Sequence, residues 1–322
     1  MTLQMTGARN LPLGPGGEFD AIAAALARWG PLAAGVGDDC AVLEVPPGEK
    51  LVMSLDTALE DVHFRRGWLT PQEIGYRSTM AAMSDLAAMA AVPLGVAAAI
   101  SLPGSWHEDF LGICDGIGEA VRLAGTRIVG GDLTRGAALS ISVTVLGCAA
   151  TPMSRAGAHP GDALWVTGLL GGPLLALAAW DRGSVPRDEF RARFAHPVAR
   201  FAEARWLAAH GATAGIDVSD GVVADASHLA AAGRVRIVLD LDLLPVLSGA
   251  LVDDAARSGE EYELVVTAPA DLDTAAFAQR FGIPLTCIGT VEERTIGGAM
   301  LETRRRGALV DPPRGHDHLS RS

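Results

Sequence analysis

Apolar positions follow two periods along this chain. Over residues 18–29 they recur at helical spacing (Phe19, Ile22, Leu26, Trp29), which predicts a first helix after a Gly/Pro-rich start. Short apolar runs at 40–45 and 51–56 predict strands. Thr70-Pro71-Gln72-Glu73 offers an N-cap threonine, a proline at the first helical position and a glutamate that closes a capping box. The helix it starts is expected to run to about Ala91 and stop before Pro93. A strand over 96–102, a helix over 107–124 and a strand over 126–129 follow. Residues 139–146 alternate cleanly as a half-exposed strand.

Over 150–161 the composition turns to Thr, Pro, Ser and Gly, which marks a boundary between domains at 1–150 and 151–322. The second half reads as strand 163–166, a Gly-rich turn, and helices over 174–180, 186–194 and 198–210. Strand 214–218, helix 222–232, strands 237–241 and 262–267, and helix 272–281 complete it. The first half is therefore α+β without strict βαβ repeats, and the second is α/β.

Several apolar runs end in an acid. Leu51-Val52-Met53-Ser54-Leu55-Asp56, Arg127-Ile128-Val129-Gly130-Gly131-Asp132 and Ala214-Gly215-Ile216-Asp217-Val218-Ser219-Asp220 share the device, and Gly35-Val36-Gly37-Asp38-Asp39 precedes the first of them. Asp85 interrupts the small apolar run 80–89, where a lone buried carboxylate needs a cation or donors. Each acid alone is equally a turn former or a helix cap, and Asp220-Gly221 reads as a turn. Together, Asp38, Asp39, Asp56, Asp85, Asp132, Asp217 and Asp220 point to a polynuclear Mg²⁺ site for a nucleotide polyphosphate. Gly130-Gly131 and Gly168 to Gly172 would let backbone N–H groups approach a phosphate. Arg155 reads either as a phosphate clamp or as a surface arginine. His63, one loop after the Asp56 strand, is a candidate contact, although a lone histidine is more often structural.

Composition narrows the classes. With 322 residues, 49% of them hydrophobic, the chain can build two proper cores. A net charge of −12 argues against a nucleic-acid partner, whose backbone needs a positive footprint. Lys50 is the single lysine, which argues against Schiff-base chemistry, and no GxxxxGK[ST] run exists. Cys40, Cys114, Cys148 and Cys287 form no CxxC pair, as expected of a reducing cytosol rather than a zinc site or a disulfide framework. Residues 1–17 lack the apolar core of a signal peptide. The apolar run 164–180 is broken by Gly168, Gly171, Gly172 and Pro173, so no membrane span is expected. A cytoplasmic location follows as an expectation.

These motifs carry a resemblance. Gly35-Val36-Gly37-Asp38-Asp39-Cys40-Ala41, Ser54-Leu55-Asp56-Thr57 with His63-Phe64, and Ser84-Asp85-Leu86-Ala87-Ala88-Met89 stand in the order and spacing of thiamine-monophosphate kinases. So do Val129-Gly130-Gly131-Asp132, Ile216-Asp217-Val218-Ser219-Asp220-Gly221 and Ser258-Gly259-Glu260-Glu261-Tyr262-Glu263-Leu264. That family belongs to the aminoimidazole ribonucleotide synthetase-like ATP enzymes, and the resemblance covers about 17–318. It implies an α+β N-terminal domain whose strands pair across a homodimer, and an α/β C-terminal domain. It also implies Mg-dependent transfer of the ATP γ-phosphoryl group to thiamine monophosphate. Carried over by position, Asp39, Ser54, Leu55, Asp56, Asp85, Asp132, Asp217 and Asp220 resemble metal-site residues. Gly131, Asp132, Arg155 and Ser219 resemble ATP contacts, and His63, Glu260 and His316 resemble substrate contacts.

The chain departs from the family pattern at four places. Glu261 stands where an aspartate is usual, Asp61 where a glycine is usual, and Leu133 where a threonine is frequent. His316 stands where an aromatic ring usually stacks on the thiamine. The competing expectation is a ligase of the same superfamily that phosphorylates an amide or formyl oxygen. The Ser258 to Glu263 motif and the Gly315-His316-Asp317-His318 tail favour the kinase.

Overall fold

The computed structural model describes residues 10, 13, 16–295 and 297–313. The chain divides into two compact units, Met1–Leu86 with Ala91–Thr151, and Ala87–Ala90 with Pro152–Ser322.

The first unit is a four-stranded sheet covered on one face by helices. Helix α1 (Gly17–Trp29) is followed by β1 (Lys50–Leu59), α2 (Pro71–Ala88), β2 (Val92–Leu102), α3 (Phe110–Leu123), β3 (Ile128–Arg135) and β4 (Ser140–Ala149). The strand order is β1-β4-β2-β3, with β2 and β3 parallel and the other pairs antiparallel. The capping box forms as the sequence predicts. Glu73 N–H donates to Thr70 Oγ1 at 3.2 Å, and Thr70 N–H donates to Glu73 Oε2 at 2.8 Å. Helices α2 and α3 approach through glycines. A Cβ on Gly116 would lie 1.8 Å from Gln72 O, and one on Gly75 would lie 2.0 Å from Ile113 O. The run 40–45 is not a strand. Val42 is 85% exposed and no neighbouring strand pairs with it, so β-propensity alone does not organise it.

The second unit holds β5 (Ala163–Thr167), α4 (Gly172–Asp181), α5 (Asp188–Ala195), α6 (Phe201–Ala209), β6 (Ala214–Asp217) and α7 (Val222–Gly233). It continues with β7 (Arg236–Asp240), α8 (Val252–Arg257), β8 (Leu264–Ala268), α9 (Thr274–Phe281), β9 (Leu285–Glu292), β10 (Leu301–Arg305) and β11 (Ala308–Val310). Its seven strands run β11-β10-β7-β9-β5-β8-β6, all antiparallel except β7 with β10. Both faces of this sheet are covered, which is why β5 and β8 read as continuous apolar runs. Leu164 and Val166 of β5 pack with Val222, Ala226 and Leu229 of α7. Between them Trp165 points to the other side, towards Trp206 and Leu207 of α6 and Phe277 of α9. The sequence does not reveal α8 or the strands β9 to β11.

Candidate functional site

In the first unit the period of β1 sorts its residues onto two faces. Val52, Ser54 and Asp56 point to the helix-covered face, where Leu86 of α2 packs over Gly147 of β4, the cross-strand partner of Val52. On that face the Ser54 hydroxyl donates to Asp85 Oδ2 at 2.6 Å. The structure thus joins two of the acid-bearing motifs, one on a strand and one on a helix. Asp56 lies one strand repeat beyond Ser54, and its Oδ1 accepts the Thr57 N–H at 2.7 Å.

Asp132 occupies a different place. It pairs with Ala99, Ala99 with Ser142, and Ser142 with Thr57, a row on the open face of the sheet. Asp56 lies in the adjacent row, through Val143 and Ala98 to Gly131, whose side chains point to the covered face. β1 and β3 are opposite edges of the sheet, three strand spacings or roughly 14 Å apart along a flat sheet. One chain's first unit therefore brings Ser54, Asp56 and Asp85 to one region and leaves Asp132 beside Gly131 at another. A cleft of about 70 Å³ opens on the covered side of β3, between Ile22, Leu26 and Trp29 of α1 and the Gly130-Gly131 pair.

Asp38 and Asp39 are exposed before β1. The Asp38 carboxylate accepts the Asp39 N–H at 2.9 Å and so closes its own turn. Leu55 is 61% exposed on the open face, between Asp56 and Ser54. His63 lies in the loop after β1, where its Nδ1 accepts the Leu59 N–H at 3.1 Å. That bond makes Nδ1 the acceptor, so Nε2 carries the proton of the neutral ring. The loop is anchored by Phe64, which meets Trp106 edge to face with centroids 6.5 Å apart, and by Asp61 at φ +66°. This positive φ is why a glycine is the ordinary choice at position 61.

In the second unit two distant motifs form one structure. Glu260 N–H donates to Ser219 O at 2.8 Å, Glu261 and Tyr262 N–H both donate to Val218 O, and Val218 N–H donates to Glu263 O at 2.8 Å. The Asp217 to Gly221 loop and the Ser258 to Glu263 loop are thereby joined through their backbones. Glu260 and Tyr262 have positive φ, +61° and +55°, and the Tyr262 hydroxyl donates to the Glu260 carboxylate. Glu261 and Glu263 turn inward and are fully buried.

Those buried acids are held by two arginines that no motif contains. Arg200 donates to Glu263 through Nε at 2.8 Å and through a terminal nitrogen at 2.5 Å. Arg193 reaches Glu263 at 3.0 Å, Glu261 at 3.1 Å and Leu169 O at 3.0 Å. Burial nevertheless pushes the Glu261 carboxyl above its ordinary value, against the pull of Arg193. Glu261 Oε1 also accepts the Gly171 N–H at 2.5 Å, and a Cβ on Gly168 would strike the Glu263 carboxylate. The Gly168 to Gly172 turn therefore serves internal packing. Its Gly171 amide is taken by a glutamate rather than offered to a phosphate.

Asp217 is buried at the end of β6, and Ser219 and Asp220 are half-buried in the following loop. Asp225, in the first turn of α7, is 1% exposed and escapes the sequence reading. Burial and the neighbouring Asp217 and Asp220 charges hold its carboxyl well above the usual carboxylate range. Ligating atoms of Asp220, Asp225 and His228 lie within 4.8 Å of one another. The sequence signal was a lone acid in an apolar helix, with a histidine three residues on. Arg155 is exposed in a short turn where Ser154 Oγ accepts the Ala156 N–H at 3.2 Å. His316 lies outside the described residues. Among the described residues no helix is long and apolar enough to cross a membrane.

Comparison with known proteins gives concordant matches. Residues 37–149 match the family model for the N-terminal domain of AIR synthase related proteins, and residues 159–302 match that for the C-terminal domain. The thiamine-monophosphate kinase of Salmonella typhimurium is 33% identical over 308 residues, covering 89% of this chain and 92% of the relative. The crystal structure of thiamine-monophosphate kinase from Stenotrophomonas maltophilia superposes with a TM-score of 0.79 at 33% identity, covering 91% and 98% of the two chains. A structure described as AaThiL complexed with AMPPCP and TMP superposes with a TM-score of 0.74 at 26% identity, covering 96% and 99%.

Proposed function

We propose a reaction and a division of labour from one premise: the chain belongs to the thiamine-monophosphate kinase family. The protein transfers the γ-phosphoryl group of ATP to thiamine monophosphate, giving thiamine diphosphate and ADP. The observation that carries this is the likeness, over 96% of the chain, to a complex that holds an ATP analogue and TMP.

An oxygen of the acceptor phosphate forms the new bond to the γ-phosphorus. The bond from that phosphorus to the β–γ bridging oxygen breaks, and its electron pair leaves with ADP. A phosphate monoester is already largely ionised near neutral pH, so no side chain has to remove a proton. What the protein must supply is alignment of two anions and relief of their repulsion.

The carboxylates fit a hard divalent cation. Asp217, Asp220 and Asp225 crowd acids into a small volume, and burial together with the Asp217 and Asp220 charges pushes the Asp225 carboxyl well above the usual carboxylate range. We assign Asp217 and Asp220 in the second unit as magnesium ligands. In the first unit we assign Asp39, Ser54, Asp56 and Asp85, with the Leu55 backbone and Asp132. Magnesium bound there would neutralise phosphate charge and hold the transferring group in line. The Gly131 N–H, Asp132, Arg155 and Ser219 contact ATP in this reading, and His63, Glu260 and His316 contact thiamine monophosphate. Pre-orientation of the Glu260 carboxylate by the Tyr262 hydroxyl supports its part of the assignment.

A homodimer accompanies this reading. Leu51, Met53 and Leu55 are 54%, 65% and 61% exposed on the open face of an edge strand, a surface that a second copy would remove from water. Asp132 shares that open face, so the copy that covers it would also complete its surroundings.

The test is direct. Incubation with ATP, magnesium and thiamine monophosphate should yield thiamine diphosphate and ADP in equal amounts. ATP consumption only with an amide substrate, and no thiamine diphosphate, would overturn the reading.

A further inference from the structure

The loop from Asp217 to Gly221 is built from below as well as from the side. Asp225 lies under it, 1% exposed, on the first turn of α7. Its Oδ2 accepts the Asp220 N–H at 3.2 Å. In return the Asp225 N–H donates to Gly221 O at 2.9 Å. These bonds run to the backbone of Asp220 and Gly221 and leave the Asp220 carboxylate unengaged by them. They fix the direction in which the chain leaves β6, and with it the direction in which the Asp220 side chain is presented. The geometry of the turn allows little else. Gly221 has φ +111°, and a Cβ there would lie 3.1 Å from Arg257 O.

We propose that Asp225 is a positioning residue that holds the Asp217 to Gly221 loop in its cation-receiving shape before a cation arrives, by accepting the Asp220 amide. The inference rests on the reading of Asp217 and Asp220 as magnesium ligands. Its rival is that Asp225 is itself a ligand, with Asp220 and His228. The two differ in what the buried oxygen must be. An amide acceptor works with a neutral carbonyl, whereas a ligand for a hard cation is weakened when its charge is removed.

Asp225→Asn keeps an acceptor oxygen and loses the charge, and Asp225→Ala loses both. Hydrogen exchange of the Asp220 amide is measured on the metal-free protein, and Mn²⁺ binding is measured by electron paramagnetic resonance, with thermal melting as the folding control. Asp225→Asn is expected to keep slow amide exchange and near wild-type Mn²⁺ affinity. Asp225→Ala is expected to speed exchange at that amide and to weaken Mn²⁺ by about tenfold, the usual effect of removing a group that orients a ligand. Unchanged exchange in a folded Asp225→Ala protein overturns the proposal. So does an Asp225→Asn protein that loses as much Mn²⁺ affinity as Asp220→Asn. If Asp220→Asn leaves Mn²⁺ binding intact, the ligand assignment fails instead, and the exchange measurement still judges the role of Asp225.

Discussion

The Ser54 hydroxyl donates to Asp85 at 2.6 Å, across 31 residues of sequence. This bond orients a carboxylate in an apolar helix towards the strand that carries Asp56. Asp56→Asn and Asp85→Asn should each weaken magnesium-dependent binding of a nonhydrolysable ATP analogue by about 10- to 100-fold, as loss of a metal-site group does. Circular dichroism should remain that of the wild type. Calorimetric titration with and without magnesium checks this, and equal affinity in both variants would remove the first unit from the metal site.

Glu261 gives a pH dependence whose sign is fixed. Burial raises its folded-state value above 4.5, so between 4.5 and that raised value the native state binds more protons than the unfolded one. Stability therefore falls as pH rises through that window. Replacement by Gln removes this slope. The stability of wild type minus that of Glu261→Gln should decline as pH increases from about 4.5, the ordinary value for a glutamate. Denaturant unfolding of both proteins across a pH series measures the difference. A rising difference would mean that Arg193 outweighs burial.

Arg200 leaves a different signature. Without it, the fully buried Glu263 keeps Arg193 and Thr167 as side-chain partners. Arg200→Met should cost about 1.5–3 kcal/mol, the scale of hydrogen bonds to a charged group, because Arg193 still pairs with the carboxylate. A scanning-calorimetry melt checks it. A loss below about 1 kcal/mol, the scale of an exposed pair, would show that the site is wetter than its burial implies.

The open face of β1 yields a prediction about assembly. Met53→Arg places a charge among Leu51, Met53 and Leu55 without touching the side that bears Ser54 and Asp56. Sedimentation should show a dimeric wild type and a monomeric variant with unchanged secondary structure. Dimer formation by the variant would move the interface elsewhere.

Local chemistry was legible in the sequence, and long-range chemistry was not. The Thr70–Glu73 capping box forms because both partners lie within one turn. The alternation of 139–146 became β4, a strand with neighbours on both sides. Residues 40–45 have strand-like composition but gain no partner, and strand formation depends on partners. The six-residue α8 and three-residue β11 are too short to carry a period. At the candidate site, the motifs locate Asp217, Asp220 and Glu260. They do not show that Glu260 and Tyr262 adopt positive φ, because neither residue type announces it. Nor do they show Arg193 and Arg200, whose roles exist only once α5 and α6 fold against the loop.

Strand β1 prints two messages on one ribbon. Its even-numbered Val52, Ser54 and Asp56 face the helix-covered side, where the proposed magnesium ligands lie, its odd-numbered Leu51, Met53 and Leu55 face the open side proposed for assembly, and the two sets are separated by a single residue step. Inserting or deleting one residue before Leu51 would exchange them, turning Ser54 and Asp56 outward and driving Met53 and Leu55 under α2. On the proposed reading, assembly and turnover depend on the same reading frame. A one-residue length change in the Pro46 to Lys50 turn should abolish both together, whereas point substitutions on either side can separate them.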